Sequence, residues 1–261
     1  RRSAAGETVD GYVHQLYFSY PAKGGIEAVP NGFLQCLDKG KCHVHVNSIV
    51  DCVEKTASGF LVTTSDGQKY EGDKLISTIP VQELTRAYRY VPESIVENVN
   101  DLRYNSIAIA FVKIPYDLCG DNYAFMIPDK NVIFHRISKM DFLGPAYHHT
   151  DEATYMVEVT YRKNDKIDTL SDVEFRNQIT QGMVDIGFAK FASDVEIVDI
   201  THYPYAYVIY DLHHTDNMMR IRQYYRDEGI ILNGRFGNFE YWNMDRILRE
   251  SYELCKRETV F

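Results

Sequence analysis

Ile230-Ile231-Leu232-Asn233-Gly234-Arg235-Phe236-Gly237 constrains this chain more than any other stretch. Its first residues read as a short buried strand. Gly234 breaks the strand, and Asn243–Lys256 follows as an amphipathic helix. The loop between them suits a bound phosphate. Gly234 and Gly237 let backbone approach a ligand closely. A new helix turns its first N–H groups and its positive dipole end toward an anion. Arg235 offers a planar fork for phosphate oxygens, and Asn243 or Asp245 can cap the helix or accept from a hydroxyl. On the residues alone, a plain strand–loop–helix connection with Arg235 in solvent explains the pattern equally well.

The rest of the chain supplies both helices and strands. Ile26, Val29, Phe33, Leu34 and Leu37 have helical spacing, with Pro30 and Gly32 inside. A meander runs from Val44, Val46 and Ile49 through Val53, then Gly59–Thr64, an Asp66-Gly67 turn and Lys69–Glu71. Lys74–Ile79 is an apolar strand that stops at Pro80. Short helices over Val81–Tyr88 and Pro92–Asp101 lead to strands at Ser106–Ile114, Tyr123–Ile127, Val132–Ile137 and Thr154–Tyr161. The strongest helix is Asp172–Phe188, with Asp168 or Ser171 as its cap. Val195–Tyr203 and Tyr205–Tyr210 read as two strands, and Asn217–Asp227 as a helix. This order predicts a mixed α/β (α+β) fold. Residues 1–80 and 201–261 form one discontinuous unit, and 81–200 a sheet-and-helix insertion.

Composition narrows the partners. Across 261 residues the net charge is −9, which argues against a nucleic-acid footprint. No run approaches the roughly 18 apolar residues of a membrane helix. Cys36, Cys42, Cys52, Cys119 and Cys255 contain no C-x-x-C pair and fit a reducing cytoplasm. The opening Arg1–Glu7 is followed by no apolar core of a signal peptide, and it does not read as a natural beginning. Neither G-x-G-x-x-G nor G-x-x-x-x-G-K-[ST] occurs.

The string Gly234-Arg235-Phe236-Gly237-Asn238-Phe239-Glu240-Tyr241-Trp242-Asn243-Met244-Asp245 resembles the C-terminal FAD-binding motif of the flavin-containing amine oxidase, protoporphyrinogen oxidase and UDP-galactopyranose mutase superfamily. It is most similar to the G-R-x-G-x-x-x-Y-x-x-M-D form of the mutases. Three more segments agree in order: Tyr20-Pro21-Ala22-Lys23-Gly24-Gly25-Ile26, the Val44–Thr64 strand pair with Asp66-Gly67, and Asp73–Pro80. The resemblance covers nearly all of 12–80 and 201–250. It implies an incomplete, Rossmann-like FAD-binding domain with a β-meander and an inserted substrate domain. The missing N-terminal βαβ unit would carry G-x-G-x-x-G, and without it residues 1–261 are expected to bind FAD weakly or not at all.

The resemblance also implies roles. Val50 contacts the adenine end through its backbone. Gly24 and Gly25 pass the isoalloxazine, and Pro80 ends the strand beneath the cofactor. Gly234 and Arg235 lie near the pyrophosphate and ribityl, and Met244, supported by Asp245, presents its N–H to the flavin. Tyr241 matches the mutase tyrosine that faces substrate phosphates. Asn243 stands where mutases often carry an acid. Tyr203, Tyr205 and Tyr207 share one strand face, and the family has a similar strand beside its substrate pocket; a packed aromatic core explains the same pattern.

Other clusters carry less. His43 and His45 share a strand face but lack a third ligand, and adjacent His148-His149 and His213-His214 point apart, so no metal site is expected. Asp165, Asp168 and Asp172 lie at a helix start, and Arg220, Arg222 and Arg226 read as a solvated face. The expected function is part of an FAD-dependent oxidoreductase acting on a small molecule. A mutase acting on a sugar nucleotide and a non-catalytic fold remnant are the alternatives.

Overall fold

The computed structural model describes residues 19–149 and 151–258. The opening Arg1–Glu7 and the first part of the resemblance, 12–18, lie outside them. Helix α1 (Ala28–Cys36) forms where the apolar spacing predicts it. Pro30 fits because it falls in the first turn, where backbone N–H groups have no helical partner. No α1 residue is buried. The meander starts later than expected: Val44, Val46 and Ile49 are exposed, and β1 spans Val50–Lys55. His43 and His45 therefore share no strand face, and His45 packs on the Tyr70 ring at 4.8 Å.

Strand β1 pairs antiparallel with β2 (Phe60–Thr64), and β2 with β3 (Lys69–Gly72). Strand β4 (Leu75–Ser77) lies parallel to β10 (Ile230–Leu232), with Ile230 opposite Leu75 and Leu232 opposite Ser77. Around them packs one core, which includes Val53, Leu84, Val99, Ile221, Tyr225 and Phe239. It takes in α2 (Val81–Ala87), α3 (Glu93–Asn100) and α5 (His214–Glu228). The two helices after Pro80 thus pack with the β4–β10 pair, although the sequence reading begins the insertion at residue 81. They follow β4 directly, and their apolar sides close its core.

The second core belongs to a five-stranded sheet ordered β6-β7-β8-β5-β9. Its strands are β5 (Tyr104–Ile114), β6 (Ala124–Met126), β7 (Arg136–Lys139), β8 (Ala153–Tyr161) and β9 (Glu196–Val208). Helix α4 (Asp172–Asp185) covers one face, setting Phe175, Ile179 and Met183 against Ala110, Val157 and Val159. Ser171 caps α4 in a full capping box with Glu174. The opposite face carries Arg136, Glu158 and Ile109, which face one another across β7, β8 and β5.

Strand β9 is continuous where the sequence suggests two strands. Between Tyr203 and Tyr207 it holds extra residues: Ile107 faces Tyr203 while Asn105 faces Tyr207. This bulge breaks the alternation, so Tyr205 leaves the face its neighbours share. Helix α5 ends on Gly229, whose φ of 82° gives the left-handed cap. A four-residue turn of helix, α6 (Gly234–Gly237), and α7 (Met244–Glu258) close the described chain. No helix among the described residues is long and apolar enough to cross a membrane.

Candidate functional site

The carboxyl ends of β4 and β10 lie side by side, locked by the Asn233 N–H donating to the Ser77 carbonyl at 2.9 Å. Gly234 turns the chain with φ 74°, close above Thr78. Gly237 sits so near β4 that a Cβ there would lie 2.6 Å from the Ser77 carbonyl oxygen. Half of the buried side-chain polar atoms without a partner among the described residues lie here, the others being on Asp141, Thr154, Asn217 and Arg222. Ser77 Oγ, Arg235 Nε and both side-chain amide atoms of Gln82 have no partner. Buried polar atoms are nearly always satisfied, and the exceptions call for an explanation. Ser77 ends β4, Gln82 opens the helix after it and Arg235 follows β10. The ends of parallel strands are where open α/β sheets bind ligands, so these residues fit a ligand rich in donors and acceptors.

Arg235 is half-buried rather than solvated. Its guanidinium lies 4.5 Å from the Tyr241 ring centroid and 5.7 Å from that of Tyr207. Nη2 donates to the Ala206 carbonyl at 2.5 Å, and Nη1 to that of Trp242 at 3.3 Å. The Tyr207 and Tyr241 rings stack at 5.9 Å. Tyr207 also points at the open sheet face: its hydroxyl lies 3.5 Å from Arg136 Nη2. Burial raises its pKa. Tyr205 departs from the expected substrate face. Its hydroxyl donates to Glu83 at 2.6 Å and accepts from Arg86 at 2.9 Å, and its ring packs on Tyr104. It joins β9 to α2.

The open face holds Arg136 on Glu158, which lies directly opposite on β8. Nε and Nη2 donate to the two carboxylate oxygens, each at 2.7 Å. Glu158 is 1 % exposed. Burial works against the Arg136 charge, but the hydrogen bonds and attraction from Glu158 outweigh it and raise the Arg136 pKa. Burial lowers the pKa of neighbouring His135 and keeps it neutral. Residue Tyr147 reaches from a turn beyond β7 to the glycine segment. Its hydroxyl accepts from the Gly25 N–H and donates to the Pro21 carbonyl, both at 2.9 Å, while its ring meets Tyr20 edge-on.

The remaining predicted residues fall around these parts. Gly24 and Gly25 both adopt positive φ, at 81° and 64°. Val50 opens β1 at a bulge and packs on the first core. Pro80 precedes α2. Asn243, Met244 and Asp245 are exposed at the start of α7, and the Asn243 carbonyl accepts from Ile247. Because α6 is only four residues long, it presents no long dipole to an anion. Arg222 is not a solvated cation. It binds Glu240 and the Asn238 carbonyl, each at 2.6 Å. Sequence reasoning missed Ser77, Gln82, Arg136, Tyr147 and Glu158. Glu158 did leave a signal, as a lone carboxylate in an otherwise uncharged strand. Among the described residues no three His, Cys, Asp or Glu side chains converge as a metal site.

The sequence profile for flavin-containing amine oxidoreductases matches residues 5–226. The chain belongs to this family. The family's cofactor is FAD. The matched region stops before the Gly234–Asp245 string, which is a separate likeness. No curated protein matches the chain at a significant level. Solved structures share the fold at low identity. A reduced UDP-galactopyranose mutase is 16 % identical, with a TM-score of 0.71 over 85 % of this chain and 48 % of its own. A candidate protoporphyrinogen oxidase from Exiguobacterium sp. 255-15 is 15 % identical, with a TM-score of 0.65 over 88 % and 51 %. A putrescine oxidase triple mutant is 16 % identical, with a TM-score of 0.59 over 90 % and 53 %. This chain therefore spans about half the length of each.

Proposed function

We propose that this chain is the later part of a flavoenzyme that holds FAD at the carboxyl ends of β4 and β10. The substrate would be a small molecule seated between the flavin and the open face of the five-stranded sheet. The observation that carries this reading is the set of orphaned polar atoms on Ser77, Gln82 and Arg235 at those strand ends. Bound there, FAD supplies two-electron redox chemistry, and the protein supplies binding, orientation and electrostatics. Gly234 and Gly237 keep side chains off the approach to the strand ends. Arg235 offers its remaining donor toward the dinucleotide. Gly24 and Gly25, held by Tyr147, border the flavin, and Val50 lies toward the adenine. Met244 and Asp245 leave the first turn of α7 open to the ring system.

In this layout 1–80 and 201–261, with α2 and α3 packed on them, make up the FAD-binding unit, and the five-stranded sheet with α4 makes up the substrate unit. A preceding βαβ segment would pair with the free edge of β10, where an open groove of about 550 Å³ runs between α5 and α7. The five unpaired cysteines suit the cytoplasm.

A second reading is a mutase using reduced flavin on a sugar nucleotide. The exposed Tyr241 of the Gly234–Asp245 string favours it. Asn243 in place of an acid weighs against it. The test is to incubate the reduced longer protein with UDP-galactopyranose and analyse the sugar product. We expect no furanose isomer; its formation would establish the mutase reading instead.

A further inference from the structure

The family is named for amines, yet around Tyr207 the open sheet face offers a cation no free carboxylate among the described residues; Asp199, exposed on the same face, lies at the opposite end of β9. Glu158 is 1 % exposed, and both its oxygens are taken by Arg136. The pair is unevenly exposed: the Glu158 carboxylate is buried, while the Arg136 side chain beside it is a third exposed. Such a pair is neutral in sum, but its positive end faces outward. Nη1 of Arg136 has no partner among the described residues. Beside it stand the Tyr207 hydroxyl and the stacked Tyr207–Tyr241 rings, with the second guanidinium, Arg235, over them. No guanidinium nitrogen of Arg235 meets a carboxylate among the described residues; Nη1 and Nη2 bind backbone carbonyls. Beside Tyr207 the face thus sets the Arg136 and Arg235 guanidinium groups against one fully occupied carboxylate, Glu158.

We infer that Arg136 anchors a substrate carboxylate on this face, with the substrate's flat part against Tyr207. A directed N–H fork held rigid by Glu158 binds a planar oxyanion well, because its geometry is fixed before the ligand arrives. A protonated amine placed there meets the positive end of the Arg136–Glu158 pair and Arg235. This inference rests on the reading that the open face seats the substrate, and it narrows that substrate to an acid.

Benzoate and benzylamine are probes of similar shape and opposite charge. Each is titrated into this chain without FAD, and binding is followed by isothermal titration calorimetry. The variants are Arg136→Gln/Glu158→Gln, which swaps the ion pair for a neutral one, and Arg136→Lys, which keeps a charge beside Glu158 but loses the fork. The expected result is saturable benzoate binding, weakened about tenfold or more in both variants, with no saturable response to benzylamine. Should the double variant fail to fold by circular dichroism, Arg136→Lys decides. Benzoate binding equal in wild type and Arg136→Lys, absent benzoate binding, or benzylamine binding as tight as benzoate would overturn the inference. FAD binding to the protein extended by the proposed βαβ unit tests the flavin site separately, and its failure there would leave the benzoate comparison on this chain intact.

Discussion

Tyr147 illustrates how one side chain ties the two halves of the candidate site together. Its hydroxyl satisfies two backbone groups, Gly25 N–H and Pro21 C=O, on a segment 122 positions away in sequence from its Gly25 partner. The glycines there adopt positive φ, a conformation that leaves the backbone free to move unless something holds it. Tyr147→Phe keeps the ring against Tyr20 and removes both hydrogen bonds. With about 1 kcal/mol per net hydrogen bond, the Gly25 amide should exchange with solvent roughly fivefold faster or more. Hydrogen–deuterium exchange at Gly25 measures this directly, and an unchanged rate would show that Tyr147 does not hold the segment. The other residue-scale device, Arg136 on Glu158, orders the opposite wall. Breaking it by removing one partner leaves a buried charge, so single neutralising variants are expected to cost stability as well as binding.

At the scale of elements, the site depends on α6 lying against β4. A Cβ on Gly237 would come within 2.6 Å of the Ser77 carbonyl, which is backbone and cannot swing aside. Gly237→Ala should therefore separate the two elements, lowering stability by about 1–3 kcal/mol in a urea titration. Gly32→Ala is the control: a Cβ at that position in α1 would meet nothing within 4 Å, so the change should be neutral or mildly stabilising. Equal midpoints for Gly237→Ala and wild type would contradict the packing. The sequence carries these elements well where the cause is local. Ser171 with Glu174 announces α4, Asp66-Gly67 the hairpin, and Ile230–Leu232 followed by Gly234 the end of β10. It carries them poorly where the cause is tertiary. The β9 bulge depends on register against β5, with the Ser106 hydroxyl donating to Pro204, so the shared face of Tyr203, Tyr205 and Tyr207 looks intact in sequence. Val44 and Val46 alternate like a strand but find no partner strand among the described residues. Arg136 and Glu158 sit 22 positions apart and meet only because β7 pairs with β8.

For the whole molecule, two cores meet at one site. The β4–β10 pair brings strand ends and orphaned polar atoms. The five-stranded sheet brings a polar, tyrosine-walled face, and Tyr207 of β9 spans both through Arg136 and Tyr241. The flavin-containing amine oxidoreductase family, to which the chain belongs, uses FAD, and the proposed seat for it is the pair of strand ends. The most direct test titrates FAD into the protein extended by the proposed βαβ unit, following flavin absorbance and quenching of flavin fluorescence, for wild type and Arg235→Ala. The account predicts one FAD per chain, with affinity lower by about tenfold or more when Arg235 is lost. A protein that stays colourless after incubation with FAD, or an Arg235→Ala variant that binds FAD as tightly as wild type, would contradict it.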